Sequence, residues 1–142
     1  MSAYADTSFL VSLYILDTNS ARAAALMKHA NLPILFTPLG ELELANAISL
    51  RLFRKELPVS KVKAAHALVR KDIEDGVLAL KPLAAAAFER AKHLARRRTP
   101  QLGTRTLDIL HVASALVLQA DAFYTFDRVQ GKLAQAEGIT VP

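Results

Sequence analysis

Short apolar runs alternate with longer stretches rich in alanine and leucine along this chain. The runs Ser2 to Ala5, Pro33 to Phe36, Val77 to Leu80 and Ala122 to Thr125 predict strands, and Ile139 to Val141 predicts a terminal one. Between them, Phe9 to Leu16 reads as a helix, and Asp17-Thr18-Asn19-Ser20 supplies capping residues for a second over Ala21 to Ala30. Thr37-Pro38 opens a third that runs to Lys55, and Pro58-Val59-Ser60 opens a fourth that Gly76 stops after Asp75. Leu83 to Arg98, Thr106 to Ala120 and Asp127 to Glu137 complete the helices, with Thr99-Pro100 to Gly103 as a loop and Gly138 as the last stop. Short strands separated by helices predict an α/β fold: a short central parallel sheet flanked by helices on both faces. In such sheets ligands bind beyond the carboxyl ends of the strands.

Composition narrows the picture. The 142 residues suit one domain spanning 1–142, with no repeat or Gly/Ser linker to divide them, and 52% hydrophobic against 22% charged residues excludes disorder as the overall state. The longest stretches without Lys, Arg, Asp or Glu, His29 to Gly40 and Ile109 to Ala120, are too short to span a bilayer. No positive charge opens the chain and Asp6 precedes its first apolar run, so a secretory signal is not expected and the protein is expected in the cytoplasm. The absence of cysteine excludes disulfides, thiolate zinc sites and cysteine nucleophiles together.

Charge is informative by location. The segment Glu89 to Arg105 holds Arg90, Lys92, Arg96, Arg97, Arg98 and Arg105 against one acid, which is the whole of the formal +5; the rest of the chain is neutral. A basic strip of this kind suits a phosphate-rich partner, with Arg96, Arg97, Arg98 and Arg105 as candidate RNA contacts. A solvated helix face whose cations complement the helix dipole explains the same residues without a partner.

Four groups of acids stand in unusual places. Asp6 follows the first predicted strand and Asp127 the fourth, which puts both at the same sheet edge, although a turn or cap accounts for Asp6 and a capping box with Gln130 for Asp127. Asp108 opens a segment apolar nearly all round, where a first-turn acid also favours the helix dipole. Glu41 and Glu43 lie in the Thr37 to Lys55 helix, and periodicity leaves open which of them points inward. Two like charges ~5 Å apart at an effective dielectric of ~20 repel by roughly 3 kcal/mol, so a converging cluster calls for a cation. An all-oxygen set suits Mg²⁺ or Mn²⁺ rather than zinc, and an acidic metal pocket beside a basic strip describes a nuclease.

Other chemistries find little support. The histidines at 29, 66, 93 and 111 are scattered, and only His111 lies within a turn of an acid, so helix packing is the expected role for it. No glycine-rich phosphate loop or serine nucleophile elbow is present, and aromatics at 6% offer no stacking platform.

The order Ala5-Asp6-Thr7-Ser8, Glu43-Leu44-Ala45-Asn46-Ala47, Leu107-Asp108-Ile109-Leu110-His111-Val112-Ala113-Ser114-Ala115 and Thr125-Phe126-Asp127 resembles the PIN-domain nucleases, and within them most the VapC toxins of type II toxin-antitoxin systems. The resemblance covers essentially the whole chain. It selects Glu43 over Glu41, because the family's helical acid is followed three positions later by Asn and then Ala. By resemblance, Asp6, Glu43, Asp108 and Asp127 form an acidic pocket for one or two Mg²⁺ or Mn²⁺ ions, with Thr7, Asn46 and Thr125 as supporting polar groups. The implied chemistry is in-line attack of metal-activated water on an RNA phosphodiester, leaving a 5′-phosphate and a 3′-hydroxyl. The implied partners are a small VapB-like antitoxin and a second copy of the chain.

Competing readings use the same features. A catalytically weak PIN-like RNA-binding module has the same strip, and a non-toxin RNA-processing nuclease has the same site. A receiver-type signalling domain also gathers acids around Mg²⁺, but it needs one at the end of a middle strand, whereas the third predicted strand here ends in Lys81-Pro82.

Overall fold

A computed structural model describes all residues, Met1 to Pro142. Strands β1 (Ala3–Ala5), β2 (Ile34–Phe36), β3 (Leu78–Leu80) and β4 (Ala122–Tyr124) form one sheet in the order β3-β2-β1-β4 with every pairing parallel. Helices α1 (Thr7–Tyr14), α2 (Ser20–His29), α3 (Pro38–Phe53), α4 (Val59–Glu74), α5 (Ala85–Leu102), α6 (Thr106–Val117) and α7 (Arg128–Ala136) flank it. The predicted terminal strand shrinks to a single bridge between Ala122 and Thr140. No helix is long and apolar enough to cross a membrane.

Side-chain alternation divides the core. Ala3, Ala5, Ile34, Phe36, Ala122 and Tyr124 point into one apolar layer with Phe9, Leu44 and Ile48, under α1 to α4. Tyr4, Leu35 and Phe123 point into the other, with Leu94, Val112 and Leu133, under α5 to α7. Tyr4 pairs in register with both Leu35 and Phe123, and its ring stacks on Phe123 at 5.6 Å. This period-two choice aims Tyr4 at α6, and α6 carries His111.

The expected loop at Thr99-Pro100 is instead the last turn of α5, which continues through Pro100 to Leu102. A proline so close to a helix end sacrifices one backbone bond where the ladder is about to stop. Gly103, at φ 63°, ends the helix in the left-handed region and donates its N–H to the Thr99 carbonyl at 2.9 Å. The hydroxyls of Thr99 and Thr104, 2.7 Å apart, tie the turn together before α6 begins. Thr37 begins α3 as expected but caps it through backbone only: its carbonyl accepts from Glu41 N–H, while its hydroxyl is buried without a partner.

Arg98, expected on the basic strip, faces α7. Its guanidinium lies 2.7 Å from Glu137 Oε2 and donates at 2.9 Å to the Ala136 carbonyl, with the Glu137 side chain only 6% exposed. Arg96 and Arg97 are exposed. Arg98→Ala leaves Glu137 poorly solvated and should cost about 2 kcal/mol in urea unfolding, whereas Arg96→Ala and Arg97→Ala should stay within about 0.5 kcal/mol of the parent.

Candidate active site

β1, β2 and β4 each run directly into a helix, so α1, α3 and α7 start at the carboxyl edge of the sheet. α6 runs back toward the start of β4 and so also begins there. Four N-termini with their unpaired N–H groups meet along one edge, which favours negative charge. The four expected acids lie here: Asp6 is the N-cap of α1, Glu43 sits in the second turn of α3, Asp108 in the first turn of α6, and Asp127 is the N-cap of α7.

Asp6 is fully buried. Its Oδ1 accepts from Phe9 N–H at 3.0 Å and Ser8 Oγ at 2.7 Å, and its Oδ2 accepts from Thr125 Oγ1 at 2.6 Å. Both hydroxyls are polarised in turn, because Ser8 Oγ accepts from Phe126 N–H and Thr125 Oγ1 accepts from Asp127 N–H, each at 2.9 Å. Two backbone donors of the β4–α7 turn thus reach Asp6 through side chains, and each bond strengthens the next. Burial still dominates and pushes the Asp6 carboxyl above its ordinary range, against the opposing bonds from Thr125, Phe9 and Ser8.

Glu43 behaves in the opposite way. Burial alone would raise its carboxyl, but hydrogen bonds from His111 and Thr7 outweigh it and hold the group below its usual value. Oε1 takes both donors, His111 Nε2 at 2.6 Å and Thr7 Oγ1 at 2.8 Å. Glu41 has no such partners, so the α3 acid that turns inward is Glu43. His111, only 1% exposed, does more than pack: its Nδ1 lies 2.8 Å from the hydroxyl of Tyr4, which is itself fully buried. Burial pushes the Tyr4 phenol far above its ordinary value, so it stays protonated. A carboxylate can only accept, so the network places an N–H on Nε2, with Nδ1 accepting from Tyr4 in the neutral ring.

Gln130 links the remaining two acids. Its side-chain amide donates to Asp108 Oδ1 at 3.1 Å while its backbone N–H donates to Asp127 Oδ1 at 2.9 Å. Asp108 Oδ2 also accepts from Arg105 N–H at 3.2 Å, so the acid expected in the first turn of its helix also closes it as a capping box. Asp127 caps α7, but the expected capping box with Gln130 is only half made, because the Gln130 amide goes to Asp108 and Asp127 N–H to Thr125. Asn46 is exposed one turn beyond Glu43 and its side chain makes no hydrogen bond, while Thr7 and Thr125 each hold an acid. The bonds that Ser8, Tyr4, His111 and Gln130 make to these acids and to one another lie outside what the sequence led one to expect: His111 was expected only to pack and Gln130 only to cap, and Ser8 and Tyr4 carried no expected role. The available signal was a polar side chain inside an apolar segment, for which a partner must exist.

The repulsion expected among the acids is met by donors, and no three of them gather around one point as a closed chelate. The donor set nevertheless fits Mg²⁺ or Mn²⁺, because Mg²⁺ is commonly held by one or two carboxylates with water completing its shell. Glu43 Oε2 takes no hydrogen bond and is not sealed in the interior. An open depression of about 280 Å³ joins this edge, lined by Thr125, Asp127, Arg128 and Lys132 among others. Its two cations share it with Asp127, whereas Arg97 lines a different cleft of about 540 Å³, with Arg90 and His93.

Because the Asp6 carboxyl is raised, folded protein holds a proton that unfolded chain has released between the ordinary carboxyl range and that higher value. The contribution of Asp6 to stability therefore falls as pH rises through this window. Asp6→Asn should raise the melting temperature by about a few degrees in divalent-free buffer, with a larger gain at about pH 8 than at about pH 5. Parallel thermal melts of both proteins check the sign.

The fold is similar to that of VapC20 from Mycobacterium tuberculosis, a sarcin-ricin loop cleaving toxin, with a TM-score of 0.72 and 19% identity over 98% of this chain and 97% of that one. FitAcB from Neisseria gonorrhoeae follows at 0.69 and 16% identity, over 98% and 95% of the two chains. VapBC2 from Rickettsia felis, bound to a DNA fragment from the promoter, gives 0.67 and 16%, over 100% and 98%. No curated protein sequence matches the chain significantly. The profile of the PIN domain family matches residues 3–136, nearly the full length, and the chain belongs to that family.

Proposed function

We propose that this PIN domain is a metal-dependent endoribonuclease and the toxin of a VapBC-type toxin-antitoxin pair. The observation that carries the reading is the acid edge itself: four carboxylates at four helix N-termini, the last of which, Asp127, lines a depression with Arg128 and Lys132. The likeness to a toxin that cleaves the sarcin-ricin loop supports RNA as substrate. The likeness to VapBC2 supports a small VapB-like antitoxin as partner. A homodimer and a cytoplasmic location are what the resemblance to VapC toxins implies.

Asp6, Glu43, Asp108 and Asp127 are the residues that would hold one or two Mg²⁺ or Mn²⁺ ions. Such an ion, when bound, stabilises charge on a scissile phosphate and lowers the pKa of water beside it. Glu43 comes to this task already ionised, whereas buried Asp6 is the acid whose ionisation a nearby cation would favour. Thr125 and Ser8 hold Asp6 in one orientation, and Gln130 sets Asp108 against Asp127. Arg128 and Lys132 flank the path of the strand, and exposed Arg96, Arg97 and Arg105 lend it longer-range attraction. Arg98 belongs to the α5–α7 contact and adds little to that attraction.

Cleavage of a panel of structured RNAs with Mn²⁺, with EDTA and with Asp108→Asn tests the reading. Cuts leaving 5′-phosphates should appear with Mn²⁺, vanish in EDTA and fall by about a hundredfold or more in the variant. RNA binding without any metal-dependent cut would favour the RNA-binding module instead.

A further inference from the structure

Glu43 uses its two carboxylate oxygens unequally. Thr7 and His111 both donate to Oε1, at 2.8 and 2.6 Å, and nothing donates to Oε2. His111 cannot relax this arrangement, because its ring is buried, its Nδ1 is engaged by Tyr4 at 2.8 Å, and the Tyr4 ring is stacked between strands on Phe123. Gly40, one turn before Glu43, lies against the ring, and a Cβ there would stand in ordinary contact with His111 Cε1 at 3.8 Å. The chain of bonds runs through β1, which leads into Asp6, and through α6 and α3, which bear Asp108 and Glu43. Tyr4 stands two residues before Asp6 on β1, His111 one turn after Asp108 on α6, and Glu43 on α3.

We infer that His111, anchored by Tyr4, is a positioning residue that pins Glu43 Oε1 and so presents Oε2 alone to a divalent cation, biasing the site toward Mg²⁺ and Mn²⁺ and against Ca²⁺. The selectivity follows from coordination chemistry. Ca²⁺ accepts two oxygens of one carboxylate within a loose shell of six to eight, whereas Mg²⁺ demands a compact octahedron served by single oxygens. A carboxylate with one oxygen already given to two donors is a poor bidentate ligand and a well-fixed monodentate one. Neither Tyr4 nor His111 needs to touch the ion, and their effect passes through Glu43. The inference rests on the metal-dependent reading above.

The test reads binding by the purified full chain rather than cleavage. Thermal-shift titrations with MnCl₂ and with CaCl₂ give an apparent affinity for each ion in the parent, Tyr4→Phe, His111→Leu and His111→Gln. In His111→Leu the apparent Mn²⁺ dissociation constant should rise about tenfold or more while that for Ca²⁺ changes less, so the preference narrows. Tyr4→Phe, which leaves every carboxylate and the His111 N–H in place, should move both values the same way by a smaller factor. His111→Gln, whose amide N–H can stand where Nε2 stood, should restore most of the preference. If the parent responds to Mn²⁺ but His111→Leu and Tyr4→Phe merely melt earlier, with unchanged affinities and an unchanged Mn²⁺ to Ca²⁺ ratio, the positioning role is overturned and the metal site survives. A parent that responds to neither ion overturns the metal site, and the inference with it.

Discussion

Carboxylates collected along one edge of a parallel sheet stay ionised only where something opposes their mutual charge, and here that opposition is built into the topology. Every strand-to-helix turn at the carboxyl edge exposes backbone N–H groups, and the order β3-β2-β1-β4 packs three such turns side by side with the start of α6 among them. Three of the acids are spent on those termini as caps or first-turn residues. The same bonds that start the helices therefore fix where the acids stand. Capping and chemistry are not alternatives in this fold, because a carboxylate that ends a helix is also one held at the edge with a lone pair to spare.

What the termini leave undone falls to hydroxyl, imidazole and amide side chains around the edge. Asp6 is the extreme case: fully buried, it depends on two hydroxyls that hand on backbone donors from the β4–α7 turn, across 119 residues of sequence for Thr125. Burial nonetheless wins, and the charged form of Asp6 costs the folded state. Glu43, with its charge supported by His111 and Thr7, sits on the favourable side of the same balance.

The architecture was legible because its signals are local. Strands as short as three residues were found because Pro33, Gly76, Pro82 and the Asp6 turn punctuate them, and the all-parallel sheet followed from their alternation with helices. Pro100 misled, since a breaker in the final turn looks the same in sequence as one that ends a helix early. Glu43 could not be told from Glu41 by periodicity, because both flank apolar positions and only the distant donors Thr7 and His111 distinguish them. The family resemblance made that choice, and the hydrogen bonds agree with it. Arg98 and His111 escaped for the same reason. Their partners, Glu137 and Tyr4, lie 39 and 107 residues away, and no local pattern encodes a contact of that range.

The separation of basic from acidic residues bears on how a polyanion could use this surface. Had the α5 cations lined the acid edge, they would have neutralised the carboxylates directly and left them little tendency to hold a metal. Instead Arg97 opens on another cleft, Arg98 is taken up by Glu137, and only Arg128 and Lys132 share a depression with Asp127. Neither of those two forms an ion pair with any of the four acids, so the cations keep their reach. A phosphodiester backbone crossing the edge meets positive charge on α7 beside the carboxylates, which is the alternation that a cation-assisted attack on a phosphate requires: anions to hold the ion, and fixed positive charge to hold the strand.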